Sequence, residues 1–561
     1  MVLSVSTIKF LLIVSYLARI VLTLLPQYGY IHPDEFFQFT EPVLGDILFI
    51  KWLKTWEFTT SFPIRSVALP FLITSPVVLA REWLDIELNG YTLLVIPRVI
   101  MTILSFLVDF VLYRISKQTM GWRWHLPCLI YSTSFLTLCF MTHTFTNAIE
   151  TILLALVVLI VIRSMNEKKP TKSFFLGILL SIGVFNRPTF MAFALVPTIF
   201  WMLAGRGRFM KKIITNGTKL VPSFFLTSLF MVAIDTLYYR PALEDEIAAT
   251  ISKGPEAIVR KITNEYFLER VASMIVVTPY NFILYNTNPS NLAKHGLHNY
   301  YHHILVNVPF VFGLVGIFAY LDAVSLITRR KNLRAIPAKT MMFFTFWLSL
   351  AILSVIAHQE GRFLMPLIIS LTYIYGDRFR TRKKLFFLWL LSNTILTYFY
   401  GFVHQAGVVH SLLDLNKRIQ SGQASPIDLI IARTYLPPLT LLQLSANDMK
   451  NVVHDLSIEP NFVNSVQKRI TSIMKKKDRN SIYLAIPSCL APRLADIISM
   501  SPYKIWFKIV KSYFPHFTHE DFDASWKIFI DSMNTGNFFE GLKKAFSLNL
   551  YQVFQESSQK S

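Results

Sequence analysis

Apolar stretches long enough to cross a bilayer recur through the first 403 residues of this 561-residue chain, more than a soluble core can bury. A bilayer core of about 30 Å takes about 20 apolar residues in a helix, somewhat fewer where flanking side chains reach the interface. On that measure the spans fall at 8–25, 93–113, 125–141, 148–162, 173–186, 188–204, 219–239, 304–328, 341–357, 363–376 and 385–403. The expected fold class is an all-α polytopic membrane protein with about 11 transmembrane helices. The composition agrees, at 53% hydrophobic residues and a mean hydropathy of +0.45.

The net charge of +21 would suit a nucleic-acid binder, but its placement excludes that class. Lys and Arg collect in four short loops between apolar runs, at 163–172, 205–219, 329–339 and 377–384, where they act as topology signals. The positive-inside rule puts all four in the cytosol, together with the N-terminus. Loops 26–66 and 240–303, the turn at 358–362 and everything after 403 then face the lumen. Loop 26–66 carries three basic against five acidic residues, and the alternation is self-consistent. Residues 67–81 are apolar but short; counted as a crossing they would invert the following loops, so they are read as a membrane-dipping or surface helix. The sequon Asn216-Gly217-Thr218 lies in a cytosolic loop and is expected to stay unmodified.

The chain thus divides into a transmembrane domain, 1–403, with luminal loops 26–66 and 240–303, and a small mixed α/β luminal domain, 404–561. In the latter, 481–486 reads as a strand and the Lys475–Lys477 run as a solvated face. Three cysteines give no disulfide framework and read as small buried hydrophobes. The run Phe10–Leu25 exits through Pro-Gln-Tyr-Gly-Tyr without a small-x-small cleavage site, so it is read as the first span, which also targets the chain.

Directly after that span comes Tyr30-Ile31-His32-Pro33-Asp34-Glu35-Phe36-Phe37-Gln38. Adjacent carboxylates beside a histidine can supply a general base for a sugar hydroxyl. They fit equally well as the acidic first turn of a helix that Pro33 opens. Arg19, Asp109 and Asp235 lie within or near spans, where charges face a cavity or a partner. Arg98 and Arg187, each beside a proline, are read as able to snorkel from span ends. Asn147 and Glu150 share a helical face. Loop 279–303 is dense in Asn, His and Tyr, including His295, His298, His302 and His303. Their spacings match no usual zinc pattern. Buried charges also suit a transporter, and an arginine in a turn also suits a lipid anchor. The enzyme reading rests on convergence: the acidic motif, Arg65, Arg187, Arg362 and several histidines are all assigned to one leaflet.

Ordered motifs extend that reading. His32-Pro33-Asp34-Glu35-Phe36-Phe37-Gln38, Thr55-Trp56-Glu57-Phe58 and Arg65-Ser66 resemble the first luminal loop of the dolichol-phosphate-mannose-dependent mannosyltransferases of glycosyltransferase family 22. The similarity continues through Thr144–Glu150, Asn186-Arg187-Pro188-Thr189, Asp235–Tyr239, Tyr285-Asn286, Asn291–Gly296 and His358-Gln359-Glu360-Gly361-Arg362-Phe363. Within the family, the Phe-Phe-Gln continuation is most similar to the branch that builds glycosylphosphatidylinositol (GPI) anchors, in particular to enzymes adding the fourth mannose. Two departures are His143, where the family commonly has Arg, and Gly361, where Pro is common.

The resemblance implies a C-type glycosyltransferase (GT-C) architecture in the endoplasmic reticulum membrane, with dolichyl phosphate mannose and a GPI precursor as substrates. It implies inverting transfer of an α-1,2-linked mannose, with Asp34 as base and Glu35 as alternate or orienter. His32, Arg65, Arg187, His298, His358, Glu360 and Arg362 are the expected donor-phosphate and substrate-binding residues. No cofactor and no metal are expected, since arginines hold the monophosphate leaving group. Membrane lipids are the remaining expected partners. The acceptors left open are the two-mannose GPI precursor and an N-glycan precursor, and the non-enzyme alternative is a lipid or solute transporter.

Overall fold

The computed structural model describes residues 4–59, 61–329, 337–423, 426–476, 480–534 and 537–555. Arg330, Lys331 and Arg334 of the third basic loop, and Lys477 of the lysine run, lie outside the described residues. The chain forms two compact units, one of Met1–Val21, Lys54–Ile73 and Ile100–Asn393, the other of Leu22–Leu53, Thr74–Val99 and Thr394–Ser561.

Among the described residues seven helices are long and apolar enough to cross a membrane: Val5–Leu24, Gly90–Met120, Thr146–Asn166, Phe209–Tyr239, His303–Leu326, Pro337–Val355 and Lys383–Val403. The count reaches nine with two bent pairs, His125–Ser132 with Phe135–Thr142 and Glu265–Met274 with Thr278–Asn286. The chain is therefore a multi-pass membrane protein. The expected spans at 173–186 and 188–204 are the shorter apolar helices Ser173–Asn186 and Phe190–Met202. The one at 363–376 is a 3₁₀ turn, Gly361–Leu367, followed by the eight-residue helix Ile368–Tyr375. Residues 67–81 fold into the short helices Ala68–Thr74 and Pro76–Leu84.

Loop 240–303 is itself helical. Proline occupies the first turn of Pro241–Ile251, Pro255–Ile262, Thr278–Asn286 and Pro289–Ala293, where its missing N–H costs no intrahelical bond. Inside the first unit the buried charges of two long helices find each other: Arg19 donates to Asp109 at 2.7 Å and to Ser105 at 3.1 Å. Its guanidinium also lies 4.5 Å from the Phe106 ring centre.

The second unit contains a five-stranded sheet: β1 Ile427–Ala432, β2 Val452–Leu456, β3 Ser481–Pro487, β4 Ile505–Tyr513 and β5 Leu548–Gln555. Its order is β2-β1-β3-β5-β4; β1 pairs in parallel with β2 and β3, and β5 runs antiparallel to β3 and β4. The strand expected at 481–486 is β3. Alternate residues point to opposite faces of a strand, and here both faces are covered. Leu429 and Ile431 of β1 and Tyr483 and Ala485 of β3 join Val408, Val409 and Leu412 of the helix Ala406–Gln420, in a core that also takes in Tyr30, Phe36, Phe37 and Leu44. On the other face Ile430, Leu484 and Ile486 pack with Val466 and Ile470 of the helix Phe462–Met474. Two covered faces explain why Ile-Asp-Leu-Ile-Ile-Ala reads as a nearly continuous apolar run rather than an alternating one.

Candidate active site

In the second unit the acidic motif is built into the same framework as the C-terminal sheet. Gly29 N–H bonds to the Gly401 carbonyl and Tyr30 N–H to that of His404, each at 2.8 Å. A side chain at Gly29 would start 1.9 Å from the Tyr400 oxygen, so only glycine permits this approach. His404 returns a bond from Nδ1 to the Tyr30 carbonyl at 2.9 Å. Burial pushes its imidazole down to about 4, which keeps it neutral, and the accepting carbonyl puts the ring proton on Nδ1.

Pro33 then opens the helix, as the first-turn reading of the motif expects. Its carbonyl accepts from Phe36 and Phe37 N–H at 3.0 Å. The two acids diverge from there. Glu35 makes no capping bond. Its carboxylate, 1% exposed, receives Nε and Nη2 of Arg98 on the same oxygen at 2.9 and 2.6 Å, while Arg98 Nη1 holds the Gln27 carbonyl at 2.7 Å. Burial raises the Glu35 pKa, and the charge and hydrogen bonds of Arg98 pull against it. Asp34 keeps 20% of its side chain exposed, with His32 Nδ1 at 3.3 Å from Oδ1 and at 3.2 Å from its own N–H. One acid is locked and the other is accessible. Arg98 does not snorkel: it is 2% exposed, inside a helix that continues through Pro97.

Downstream, Glu41 is fully buried and accepts the Thr440 backbone N–H at 2.8 Å, the Thr440 hydroxyl and Leu53 N–H at 3.4 Å. Burial pushes its carboxyl up to about 7 against these bonds. Tyr30 Oη bonds to the Leu436 carbonyl at 2.8 Å, and Ile50 bridges to Ser445. Residues 28–53 are therefore held in place by the chain after 400.

Of the expected binding residues, Arg65, Arg187, His298, His358, Glu360 and Arg362 belong to the first unit. Arg65 donates through Nε and Nη2 to Glu57 at 2.9 and 2.8 Å, while its Nη1 is buried and makes no hydrogen bond among the described residues. Its carbonyl accepts Tyr239 Oη at 2.7 Å, and the adjoining Ser66 hydroxyl and Val67 N–H donate to Asp235 at 2.9 and 3.1 Å. Thr278 donates to the other Asp235 oxygen at 2.7 Å. Asp235 is thus a buried clamp on the segment that carries Arg65.

Arg187 lies 3.7 Å from Glu150, which also accepts Thr189 Oγ1 at 2.9 Å and Asn147 Nδ2 at 3.0 Å. The Arg187 and Arg362 guanidiniums sit 4.8 and 5.3 Å from the centre of one ring, Phe363. Arg362 Nε donates to Glu360 at 2.5 Å, whose other oxygen holds His358 Nε2 at 2.9 Å. The bond to Glu360 pushes His358 above its usual value despite burial. His298 accepts the Gln359 N–H through Nδ1 at 3.4 Å, and burial, reinforced by His302 and His358, moves it the other way. Arg187, Arg362, Glu360, His358 and His298 are thereby joined in one network. Against Glu150 and Glu360, two guanidiniums and an imidazole favouring its charged form leave an excess of one positive charge, an electrostatic setting for an anion.

The sequence model of the Alg9-like mannosyltransferase family matches residues 10–440, ending between β1 and β2. The chain is 33% identical over 467 residues to GPI alpha-1,2-mannosyltransferase 4 of Homo sapiens, covering 76% of this chain and 75% of that one. It is 27% identical over 613 residues to GPI mannosyltransferase 4 of Drosophila melanogaster, with 90% and 85% covered. Among solved structures, ArnT from Cupriavidus metallidurans bound to undecaprenyl phosphate aligns over 91% of this chain and 97% of its own, with 10% identity and a TM-score of 0.47. The transporter reading is not favoured by these relatives. With the family match running through most of its length, the chain belongs to the Alg9-like mannosyltransferase family and is a membrane-embedded glycosyltransferase.

Proposed function

We propose that the chain adds the fourth mannose to a GPI-anchor precursor, transferring it from dolichyl phosphate mannose to the 2-hydroxyl of the third mannose. The acceptor follows the names of its relatives, which are GPI mannosyltransferases 4 in animals and fungi. The setting we assign is the endoplasmic reticulum membrane, with a GT-C architecture of about 11 spans, loop 26–66 and residues 404–561 in the lumen, and the N-terminus in the cytosol.

The observation that carries the mechanism is the inequality of the adjacent acids. Glu35 is buried on Arg98, whereas Asp34 keeps 20% of its side chain exposed, and it is the carboxylate we assign to take the proton. Asp34 removes the acceptor hydroxyl proton as that oxygen attacks the anomeric carbon. The bond from that carbon to the phosphate oxygen breaks in the same displacement, and dolichyl phosphate leaves with the electron pair. A β-linked donor then gives an α-linked product, with no covalent intermediate, as in inverting glycosidases. His32 orients Asp34. Arg65, Arg187 and Arg362 stabilise the departing phosphate, with His358 and Glu360 setting the position of Arg362 and His298 binding substrate beside them. The guanidiniums donate charge-assisted hydrogen bonds to the monophosphate, and the reaction we assign uses no divalent metal.

The test is direct. Purified protein given dolichyl phosphate mannose and a three-mannose GPI precursor should release dolichyl phosphate and yield a four-mannose product with an α linkage. Donor movement across a vesicle membrane without sugar transfer would sink the proposal, and transfer only to a two-mannose precursor would reassign the acceptor.

A further inference from the structure

Lys339 sits in the first turn of the 19-residue helix Pro337–Val355, whose far end leads into His358–Arg362. At 1.5 Å per residue the two ends lie about 28 Å apart, the thickness of a bilayer core. At the Lys339 end a cavity of about 570 Å³ is lined by Arg123, Asp322, Lys339, Asp377, Arg378 and Arg380. Arg123 Nη1 donates to Asp377 at 3.0 Å, and Arg378 Nη2 donates to Asp322. The Arg378 guanidinium is further fixed 4.8 Å from the Tyr375 ring centre. Four cations against two carboxylates leave the cavity with a positive excess of two charges.

Concentrating that excess in a recess raises the local potential for anions. Water alone relieves it poorly, whereas a phosphate accepts several charge-assisted hydrogen bonds at once. Beside Thr381, the rest of the wall is made by the apolar Leu326, Phe343 and Ile374. A recess with a cationic rim and an apolar wall, at a helix end one bilayer thickness from the His358 network, matches an amphiphile with an anionic head. A volume of this size is within the usual range for small-ligand sites.

We propose that this cavity binds the phosphate of an anionic membrane phospholipid, held by Lys339, Arg380, Arg123 and Arg378, with the lipid's glycerol and upper acyl chain against Leu326, Phe343 and Ile374. The site is separate from the transfer chemistry and does not depend on the acceptor assigned above. Free phosphate shares the headgroup chemistry, so the experiment has two arms. Full-length protein is exchanged into nanodiscs of phosphatidylcholine with or without phosphatidylserine, and retained lipid is counted by native mass spectrometry after mild detergent release. Inorganic phosphate is then titrated as competitor.

Wild type should retain phosphatidylserine over phosphatidylcholine. The double variant Lys339→Ala/Arg380→Ala should lose roughly tenfold to thirtyfold of that preference, from the contribution of each cation near an anionic surface. The charge-conserving Lys339→Arg/Arg380→Lys variant should keep it, which separates lost charge from lost fold. Displacement of the retained lipid by millimolar phosphate, with the same loss in the alanine variant, supports the anion site and assigns it to a soluble ligand. Equal retention of both lipids by wild type, with no effect of phosphate, overturns the proposal.

Discussion

Replacing Arg98 by alanine is the most informative single change to the acidic motif. It deletes both hydrogen bonds to Glu35 and the bond to the Gln27 carbonyl, and takes the guanidinium away from a carboxylate only 1% exposed. Breaking a buried ion pair from one side costs about 3–5 kcal/mol, most of it the penalty on the abandoned charge. For a unit of roughly 200 residues that lowers the unfolding midpoint by on the order of 10 °C. If the abandoned charge is the cause, neutralising it should help: Arg98→Ala/Glu35→Gln should recover half or more of the lost stability. The assay is thermal unfolding of the full-length protein in detergent, followed in parallel with mannose transfer. A loss below about 1 kcal/mol for Arg98→Ala, or a double variant no better than the single one, refutes the reasoning. Those results would mean that Glu35 is not committed to Arg98 and regains its claim to be the base.

Three further outcomes are expected. Asp34→Asn should lower the rate of transfer by roughly 10²- to 10⁴-fold with an unchanged unfolding midpoint, and near-full activity would remove Asp34 as the base. Glu41 has a folded value of about 7 against an ordinary 4.5, so its contribution to stability is fully present below 4.5 and lost as pH rises through 7. The total is about 3 kcal/mol; Glu41→Gln should flatten the pH dependence of unfolding between about pH 4.5 and about pH 7, and a slope as steep as in wild type would show that another group titrates. Saturating chelator should leave transfer unchanged in washed protein, whereas loss of activity restored by a divalent ion would end the metal-independent mechanism.

Several contacts of the candidate site were legible in the chain because they sit in short contiguous motifs. Asn147 and Glu150, placed on one helical face by their spacing, do bond to each other, and His358, Glu360 and Arg362 form one relay. What was not legible involves distant partners. Arg98 looked like a span-end residue because Pro97 precedes it, but helix Gly90–Met120 runs through that proline and buries the arginine. Glu41 carries no motif, and its partner Thr440 is 399 positions away, so no local pattern announces the contact. Arg19 and Asp109 were each recognisable as charges needing company, and only the packed helices say that they serve each other. Residues 240–303 read as a loop from their balanced charge, although the prolines at 241, 255, 279 and 289 mark where short helices begin.

The anchoring of residues 28–53 by the chain after 400 also dictates an order of events during synthesis. At about 5–20 residues per second, the 399 positions between Glu41 and Thr440 take on the order of 20–80 s to translate. Throughout that interval the loop bearing Asp34 lacks the partners for Tyr30, Phe36 and Phe37, and its glutamate at 41 stays hydrated and charged. A ribosome that stops before β1 therefore leaves behind an inserted bundle whose reactive loop has never taken shape. The later part of the chain acts as a countersignature on its beginning: the loop bearing Asp34 takes shape only once its partners after 400 have been made.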